Sequence, residues 1–345
     1  MAGMRDVAKL AGVSLSSVSV VLGDSHKFVS KDIADRVRAA ARELNYVRPS
    51  RTRFTQKTIA VVLSAATSVF FSNVLNGIEE TLAAGKNLML YYNSNFSFEK
   101  EKNCIRTLKK QSLAGIILDS VCPPAQEADY LNWLKESFVD AGIPVVFLER
   151  EVNRDGFYSI YINNFQSAYD ATSYLISQGH DHIAHIEGNT SIALAEERLN
   201  GYKAALEDHG IPYRPELVQK GDFSSYSGYI ATKRLIDLNP KMTAIFSAND
   251  QMAVGAIKAV KLSGKSVPEN IAVMGFDNLS ICSLISPALT TVNVPTYQMG
   301  RQAAWLVLQA SENQPCKSKY VLETNLIIRR SSELTASDEW ELNNW

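Results

Sequence analysis

No stretch of the chain approaches the roughly 18 uncharged apolar residues that a bilayer span requires, so no membrane-crossing segment is expected. Cysteine is scarce. Cys104, Cys122, Cys282 and Cys316 lie too far apart for a zinc knuckle and are too few for a disulfide framework. The opening MAGMRDVAKLAGVS carries charges at Arg5, Asp6 and Lys9 and lacks the apolar core of a secretory signal, which makes the cytosol the expected compartment. Also missing are a Gly-x-Gly-x-x-Gly turn, a phosphate loop and a Gly-x-Ser-x-Gly elbow, so nucleotide-cofactor and hydrolase readings have no motif behind them. No cofactor is expected.

Net charge is nearly absent as well, at −1 over 345 residues, but that average hides an asymmetry. Residues 1–57 hold 11 Lys/Arg against 5 Asp/Glu, a balance of +6, which leaves −7 on the rest. A basic amino-terminal module facing a polyanion, followed by a mildly acidic body, fits this separation; a merely solvated basic helix is the alternative.

The first 47 residues read as three short helices. Arg5 to Ala11 places Val7, Ala8, Leu10 and Ala11 on one stripe, and Gly12 ends it as a residue tolerant of positive φ. Ser14 stands where an N-cap belongs, ahead of Leu15 to Leu22 with Leu15, Val18, Val21 and Leu22 apolar. Ser30 caps the third, in which Ile33, Val37, Ala40, Ala41 and Leu44 recur at helical spacing. Two short helices about a tight glycine turn, closed by a third, make a helix-turn-helix unit. Its second helix would present Leu15, Ser16 and, a turn later, Val20 to base edges, with Ser14, Ser17 and Ser19 near phosphates unless they only cap or meet solvent. Residues 48–57, RPSRTRFTQK, carry four positive charges and no acid, the composition of a linker that could track a phosphate backbone.

From residue 58 the texture changes to α/β. Short β-branched and aromatic runs at 59–65, 88–93, 115–120, 144–149, 158–162, 182–188, 244–250 and 271–277 alternate with amphipathic segments at 73–84, 98–111, 166–178, 196–209, 225–238 and 251–263. Parallel sheets flanked by helices follow, in two lobes that break near 150–160 and face each other across a cleft. Sugar recognition calls for an aromatic face and charged side chains that bond paired hydroxyls. The candidates at strand ends and helix starts are Phe70, Phe71, Glu149, Arg150, Arg198, Asn249, Asp250 and Asp277. One of the two phenylalanines could belong to the core instead, and Asp250 could only cap its helix. His180, His182 and His185, at i, i+2 and i+5, would not converge on one side of a helix or strand, so no metal is expected.

The stretch RDVAKLAGVSLSSVSVVLGD, with its spacing Asp-Val-Ala-x-x-Ala-Gly-Val-Ser-x-x-x-Val-Ser, resembles the DNA-binding head of the lactose-repressor (lactose/galactose-repressor) family of bacterial transcription regulators. FFSNVLNGIEE, GHDHIAHIEG, RLNGYKAAL, NDQMAVGAIKAV, VPENIAVMGFDN and PALTTVNVP resemble that family's effector-binding core, itself similar to periplasmic sugar-binding proteins; the likeness covers residues 4 to about 330. The resemblance implies a two-lobed periplasmic-binding-protein-like core behind a helix-turn-helix head. It also implies a homodimer on double-stranded operator DNA and a sugar-like small-molecule effector. The head would end at 47 and the linker run over 48–57. Lobe one would hold about 58–160 and 291–321, lobe two about 161–290 and 322–330, and an acidic tail the rest. The candidate DNA-contacting set is Met4, Ser14, Leu15, Ser16, Ser17, Ser19 and Val20, with Tyr46 and the linker residues Arg48, Arg51 and Arg53. In the core the resemblance implies effector contacts from Arg198, Asn249 and Asp277, with Phe71 packing on the ligand.

Departures from the pattern matter. Where the family usually has arginine after the Val-Ser of the recognition helix, this chain has Val20, which loses bidentate readout of guanine, about 1–3 kcal/mol of discrimination. The linker is shorter than the family's, lacks Ala-Arg-x-Leu and offers only Phe54 as a minor-groove wedge. Glu149 stands where aspartate is frequent, and Asn163 where aspartate is usual before Asn164. The tail SSELTASDEWELNNW has no leucine heptads, so a dimer is expected, and Trp340 and Trp345 receive no role. A transport receptor and an enzyme using the cleft are the competing classes. The absent export signal and the basic head oppose the first; the second lacks a nucleophile, base or metal constellation.

Overall fold

The structure, a computed structural model, describes residues 4–22, 29–44, 46, 56–65, 68–189 and 192–336. Arg48, Arg51, Arg53 and Phe54 of the linker, and Trp340 and Trp345 of the tail, lie outside them. The chain divides into two compact units, Met1–Gln56 and Lys57–Trp345.

In the first unit, α1 (Met4–Ala11), α2 (Leu15–Val21) and α3 (Lys31–Glu43) enclose a small core of Val7, Ala8, Ala11, Val18, Val37, Ala40 and Ala41. Gly12 takes φ +63°, and the Val13 N–H donates to the Ala8 carbonyl at 3.1 Å, so the turn after α1 is the left-handed one expected of glycine. Ser30 occupies the N-cap position of α3 without a side-chain capping bond.

The second unit alternates strand and helix throughout. Its chain order begins β1 (Thr58–Leu63), α4 (Val69–Ala84), β2 (Leu88–Asn93), α5 (Phe98–Leu108), β3 (Gly115–Leu118), α6 (Glu127–Ser137), β4 (Val145–Leu148) and β5 (Phe157–Ile162). It continues with α7 (Asn164–Ser177), β6 (Ile183–Glu187), α8 (Ala193–Asp208), β7 (Val218–Lys220), α9 (Ser225–Leu238), β8 (Ala244–Ser247), α10 (Asp250–Leu262), β9 (Ala272–Asp277), α11 (Ile281–Leu284) and β10 (Thr290–Asn293). Last come α12 (Thr296–Ser311), β11 (Lys319–Leu322) and β12 (Asn325–Ile327). Two six-stranded sheets result, ordered β2-β1-β3-β4-β5-β11 and β7-β6-β8-β9-β10-β12; every pairing is parallel except β10 with β12. Central strands such as β3, β4 and β8 are buried at every residue, as sheets covered by helices on both faces must be.

Strand order in each sheet reverses beside its first strand, between β1 and β3 and again between β6 and β8. A crevice opens there at the carboxyl ends of the strands. The chain passes between the lobes three times, at 162–164, 293–296 and 322–325. Side chains tie these crossings together. Asn278 Nδ2 donates to Asn293 Oδ1 and Asn293 Nδ2 to Asn325 Oδ1, each at 3.0 Å, and the hydroxyls of Ser167 and Thr324 lie 2.8 Å apart. The second crossing falls later than the 290/291 boundary expected from sequence, because β10 pairs with β9 through Asn293 and therefore belongs to lobe two. The first falls at 162, since β5 keeps its register with β11 to that residue.

Candidate functional sites

In the head, Ser14 is extended (φ −69°, ψ 151°) and its Oγ accepts the Ser17 N–H at 3.2 Å, an N-cap on the recognition helix. Its hydroxyl also lies 2.7 Å from that of Ser16 and 2.9 Å from that of Ser17. Ser14, Leu15 and Ser16 are exposed, with Leu15 43% accessible, while Ser17, Ser19 and Val20 are half-buried. An exposed leucine and serine at the start of a capped helix form a surface that can reach base edges. Met4 and Tyr46 pack against the head's core, so each has a structural role whatever else it touches.

In the body, a cleft opens between the two lobes where the strands end. Lobe two supplies Arg198, only 2% exposed on α8. Its Nε donates to Asn164 Oδ1 at 2.9 Å, its Nη1 donates to the Ala248 carbonyl and lies 3.8 Å from Asp277 Oδ1, and its guanidinium sits 3.6 Å from the centre of the Phe276 ring. Four partners hold one cation rigidly at the floor of the cleft. Asn249 caps α10 by accepting the Met252 N–H at 3.0 Å, and its Nδ2 donates to the Phe223 carbonyl at 3.0 Å. Phe223 adopts φ 69°, and its ring fills the space where a Cβ on Gly188 would stand, 2.1 Å from the ring. A glycine at 188 is what lets that ring reach the cleft.

Lobe one contributes Asp119 after β3 and Glu149 after β4. Asp119 Oδ2 accepts the Ser64 N–H at 3.0 Å. Glu149, buried at the cleft with φ 56°, keeps Oε1 without any hydrogen-bond partner. Phe70 and Phe71 meet edge to face, centroids 5.1 Å apart, at the start of α4. Burial pushes Glu149 up to about 7; Arg198 opposes this, while Asp119 and Glu197 add to it. Burial likewise raises Asp119, and raises Asp277 well above the ordinary carboxylate range against the pull of Arg198.

Two compartments share this cleft. An inner one of about 90 Å³ is lined by Phe70, Phe71, Phe96, Phe223, Leu194, Arg198, Asn249 and Asp277; an outer one of about 270 Å³ by Cys122, Glu127, Arg150, Glu151 and Glu197. Asp119, Glu149, Ile192 and Leu194 border both. Six of the eight residues expected from sequence thus meet in the inner compartment: Phe70, Phe71, Glu149, Arg198, Asn249 and Asp277. Both phenylalanines line it, and both also join the core of lobe one.

Of the other two, Asp250 is a correction and Arg150 lines the outer compartment. Asp250 does not line the cavity. As the first helical residue after the Asn249 cap it turns inward, accepting the Thr291 hydroxyl at 2.6 Å and the Leu279 N–H at 2.8 Å, and so fastens the loop after β9 to β10. Arg150, beyond the end of β4, turns to the outer compartment, 3.4 Å from Glu127 and from the Cys122 carbonyl. Sequence reasoning missed Asp119, Glu197, Phe96 and Phe223. Asp119 carried the same signal as Glu149 and Asp277, an acid directly after a buried strand. The histidines disperse: His180 to the Thr243 hydroxyl, His182 to Asp181, and His185 between the rings of Tyr202 and Phe246.

A helix-turn-helix head joined to a two-lobed α/β body, with a polar and aromatic cleft at the strand ends, is the build of a DNA-binding regulator with a ligand-binding core. Residues 3–49 match the bacterial regulatory proteins of the lacI family, and residues 172–332 match the periplasmic binding protein-like domain. The chain is 31% identical over 340 residues to the HTH-type transcriptional repressor PurR of Vibrio atlanticus (strain LGP32), covering 97% of this chain and 99% of that protein. It superposes on the transcriptional regulator CelR in complex with cellobiose with a TM-score of 0.72 at 30% identity, covering 96% of this chain and 100% of that one. With the Lac repressor dimer bound to operator and the anti-inducer ONPF the TM-score is 0.77 at 26% identity, covering 96% and 99%. The chain belongs to the lacI family of bacterial regulatory proteins.

Proposed function

We propose that this protein is a transcriptional repressor that binds operator DNA as a homodimer and is controlled by a small, sugar-like ligand seated between the lobes of its body. One observation carries the ligand reading: a buried Arg198–Asp277 pair, the Asn249 amide and the unpartnered Glu149 oxygen converge opposite phenylalanine faces. Charged groups that bond hydroxyls beside an aromatic wall are what a sugar ring needs. The cellobiose held by CelR, and the operator held by the Lac repressor, support the same reading.

The mechanism follows from the three crossings. A ligand that bonds both lobes at once closes the cleft and rotates one lobe about the hinge, which alters how the dimer presents its heads. Operator affinity shifts by the ligand's preference for one lobe arrangement, typically about 1–3 kcal/mol. Base contacts come from Leu15, Ser16 and Val20, and phosphate contacts from Ser17, Ser19 and the linker arginines Arg48, Arg51 and Arg53. Val20 replaces guanine readout with packing against a thymine methyl, so the operator differs there from those read by arginine. The protein acts in the cytoplasm, and its cleft binds without catalysing.

Anisotropy titration of the full chain against genomic fragments, with and without a panel of sugars, tests this. Saturable binding that is lost on deleting residues 1–57 and altered by a sugar is the expected result. Indifference to duplex DNA of every sequence at low salt overturns it, and a transport receptor becomes the better reading.

A further inference from the structure

The cleft is far more acidic than one that only bonds neutral hydroxyls needs to be. Among the described residues that line its two compartments, the acids are Asp119, Glu127, Glu149, Glu151, Glu197 and Asp277, and the cations are Arg150 and Arg198. Both cations are already engaged, Arg150 with Glu127 and Arg198 with Asp277. Glu151 is paired with Lys319 at 2.6 Å. Among the described residues Asp119, Glu149 and Glu197 have no cation within 4 Å, and the first two stand where the inner and outer compartments join. Asp119's carboxylate takes bonds from the Ser64 N–H and hydroxyl, whereas Oε1 of Glu149 is buried with no donor. An acceptor held dry and unpaired costs free energy until a donor arrives, and a cation offsets more of that cost than a neutral hydroxyl.

Resting on the cleft as the effector site, we infer that its ligand carries a protonated amine beside its hydroxyls, the ammonium group lying between Asp119 and Glu149, and that phosphorylated sugars are excluded. Closure of the lobes would strip water from these two carboxyls. A neutral sugar would make these carboxyls take up protons or bury charge without a counterion; a phosphate would add like charge; an ammonium neutralises them while they stay ionised. The groups facing Glu149 are Asp119 beyond β3, Asp277 at the end of β9, and Glu197 and Arg198 on α8, so three acids share the one cation; Arg150 faces Asp119 from the outer compartment. Because burial holds Glu149 near 7, the empty cleft carries part of a proton at neutral pH, and an arriving ammonium displaces it.

The test uses the full chain and two matched series, glucose, glucosamine and glucose 6-phosphate, and galactose, galactosamine and galactose 6-phosphate. Dissociation constants are read by calorimetry at pH 7 in two buffers of different ionisation enthalpy. In the series that binds, the amine is expected to be tighter than its neutral parent by about tenfold or more, the worth of one charge-assisted hydrogen bond, with the phosphate ester weakest. Only the amine should release protons. In Glu149→Gln and Asp119→Asn, each first shown to melt cooperatively, the amine-to-neutral ratio should fall toward one. A neutral sugar or a phosphate ester that binds as tightly as the amine, or a ratio unchanged in both variants, overturns the inference and leaves the sugar-responsive reading standing. Silence from all six compounds overturns the sugar reading itself, and this inference with it.

Discussion

Replacing Glu149 by glutamine tests the electrostatics of the cleft without any ligand. The native carboxyl is buried, keeps one oxygen unpartnered and holds its proton up to about pH 7, whereas the same group in an unfolded chain releases it near 4.5. Between those values the native state binds more protons than the unfolded one, so unfolding free energy falls as pH rises through the window. The contribution is absent below about 4.5 and complete above about 7. Moving a carboxyl across that interval disfavours its charged form by about 3 kcal/mol. Glutamine keeps the shape and never ionises. Glu149→Gln should therefore change its stability relative to wild type by about 3 kcal/mol in its own favour between pH 4.5 and 7.5, several degrees in Tm for a body of this size. Urea denaturation of both proteins at four pH values reads the difference directly. The slope from Asp250, which burial also raises, is common to both and cancels, whereas Asp119 and Asp277 feel the charge of Glu149 and shift with its removal. A gap that stays constant with pH, or widens toward acid, would refute the argument.

Three further substitutions separate roles that sit side by side. Ser14→Ala removes the cap on α2 and should destabilise that helix by about 1 kcal/mol, seen as weakened operator binding in an anisotropy titration. Asp250→Ala strips the Thr291 hydroxyl and the Leu279 N–H of their acceptor and should cost about 3 kcal/mol of body stability by urea denaturation, while the Kd for any cleft ligand moves far less than in Asp277→Ala. Gly300→Ala should lower body stability by about 1–3 kcal/mol through overpacking, since its Cβ would lie 2.0 Å from the Val74 carbonyl oxygen; calorimetric melting measures it, and an unchanged Tm would show that α12 can move away from α4.

Most strands of the two lobes were legible because their β-branched runs are buried on both faces, as at 59–65 and 271–277, each within two residues of a strand observed; the half-exposed β2 was legible from its apolar and aromatic run at 88–93. The head was legible for a different reason, three short amphipathic stripes with Gly12 between the first two. Helix α12 gave little signal: its buried face mixes Met299, Leu306 and Val307 with the small Gly300, Ala303 and Ala304, while Trp305 is 41% exposed, which blurs the apolar stripe. Edge strands β11 and β12 escaped because half-exposed residues such as Lys319 and Asn325 do not alternate cleanly. At the site, charge at a strand's carboxyl end pointed to Glu149 and Asp277, and the place of Arg198 in RLNGY to that residue; all three line the inner compartment. Applied to GIILDS, the same rule also yields Asp119. It failed at Asp250, because consecutive residues across a helix start diverge, Asn249 bordering the cavity and Asp250 entering the core. Nothing in the sequence foretold Phe223, whose place depends on a left-handed backbone and a glycine 35 positions away.

Stiffness is distributed in this body so that a ligand's work reaches the hinge. In lobe one, α4 and α12 touch backbone to backbone, since Cβ atoms at Gly77 and Gly300 would meet Tyr297 and Val74 carbonyl oxygens at 2.2 and 2.0 Å. In lobe two, α9 and α10 do the same through Gly228 and Gly255, at 2.2 and 1.9 Å from Met252 and Ser225 carbonyl oxygens. Close-packed interiors of this kind deform little and move as blocks. The crossings between lobes are held differently, by amide and hydroxyl bonds among Asn278, Asn293, Asn325, Ser167 and Thr324. Each such bond contributes only about 1 kcal/mol net, because water replaces it readily. A ligand that pairs the dry carboxyls of lobe one while engaging lobe two therefore gains more by rotating the lobes together than it loses at the crossings.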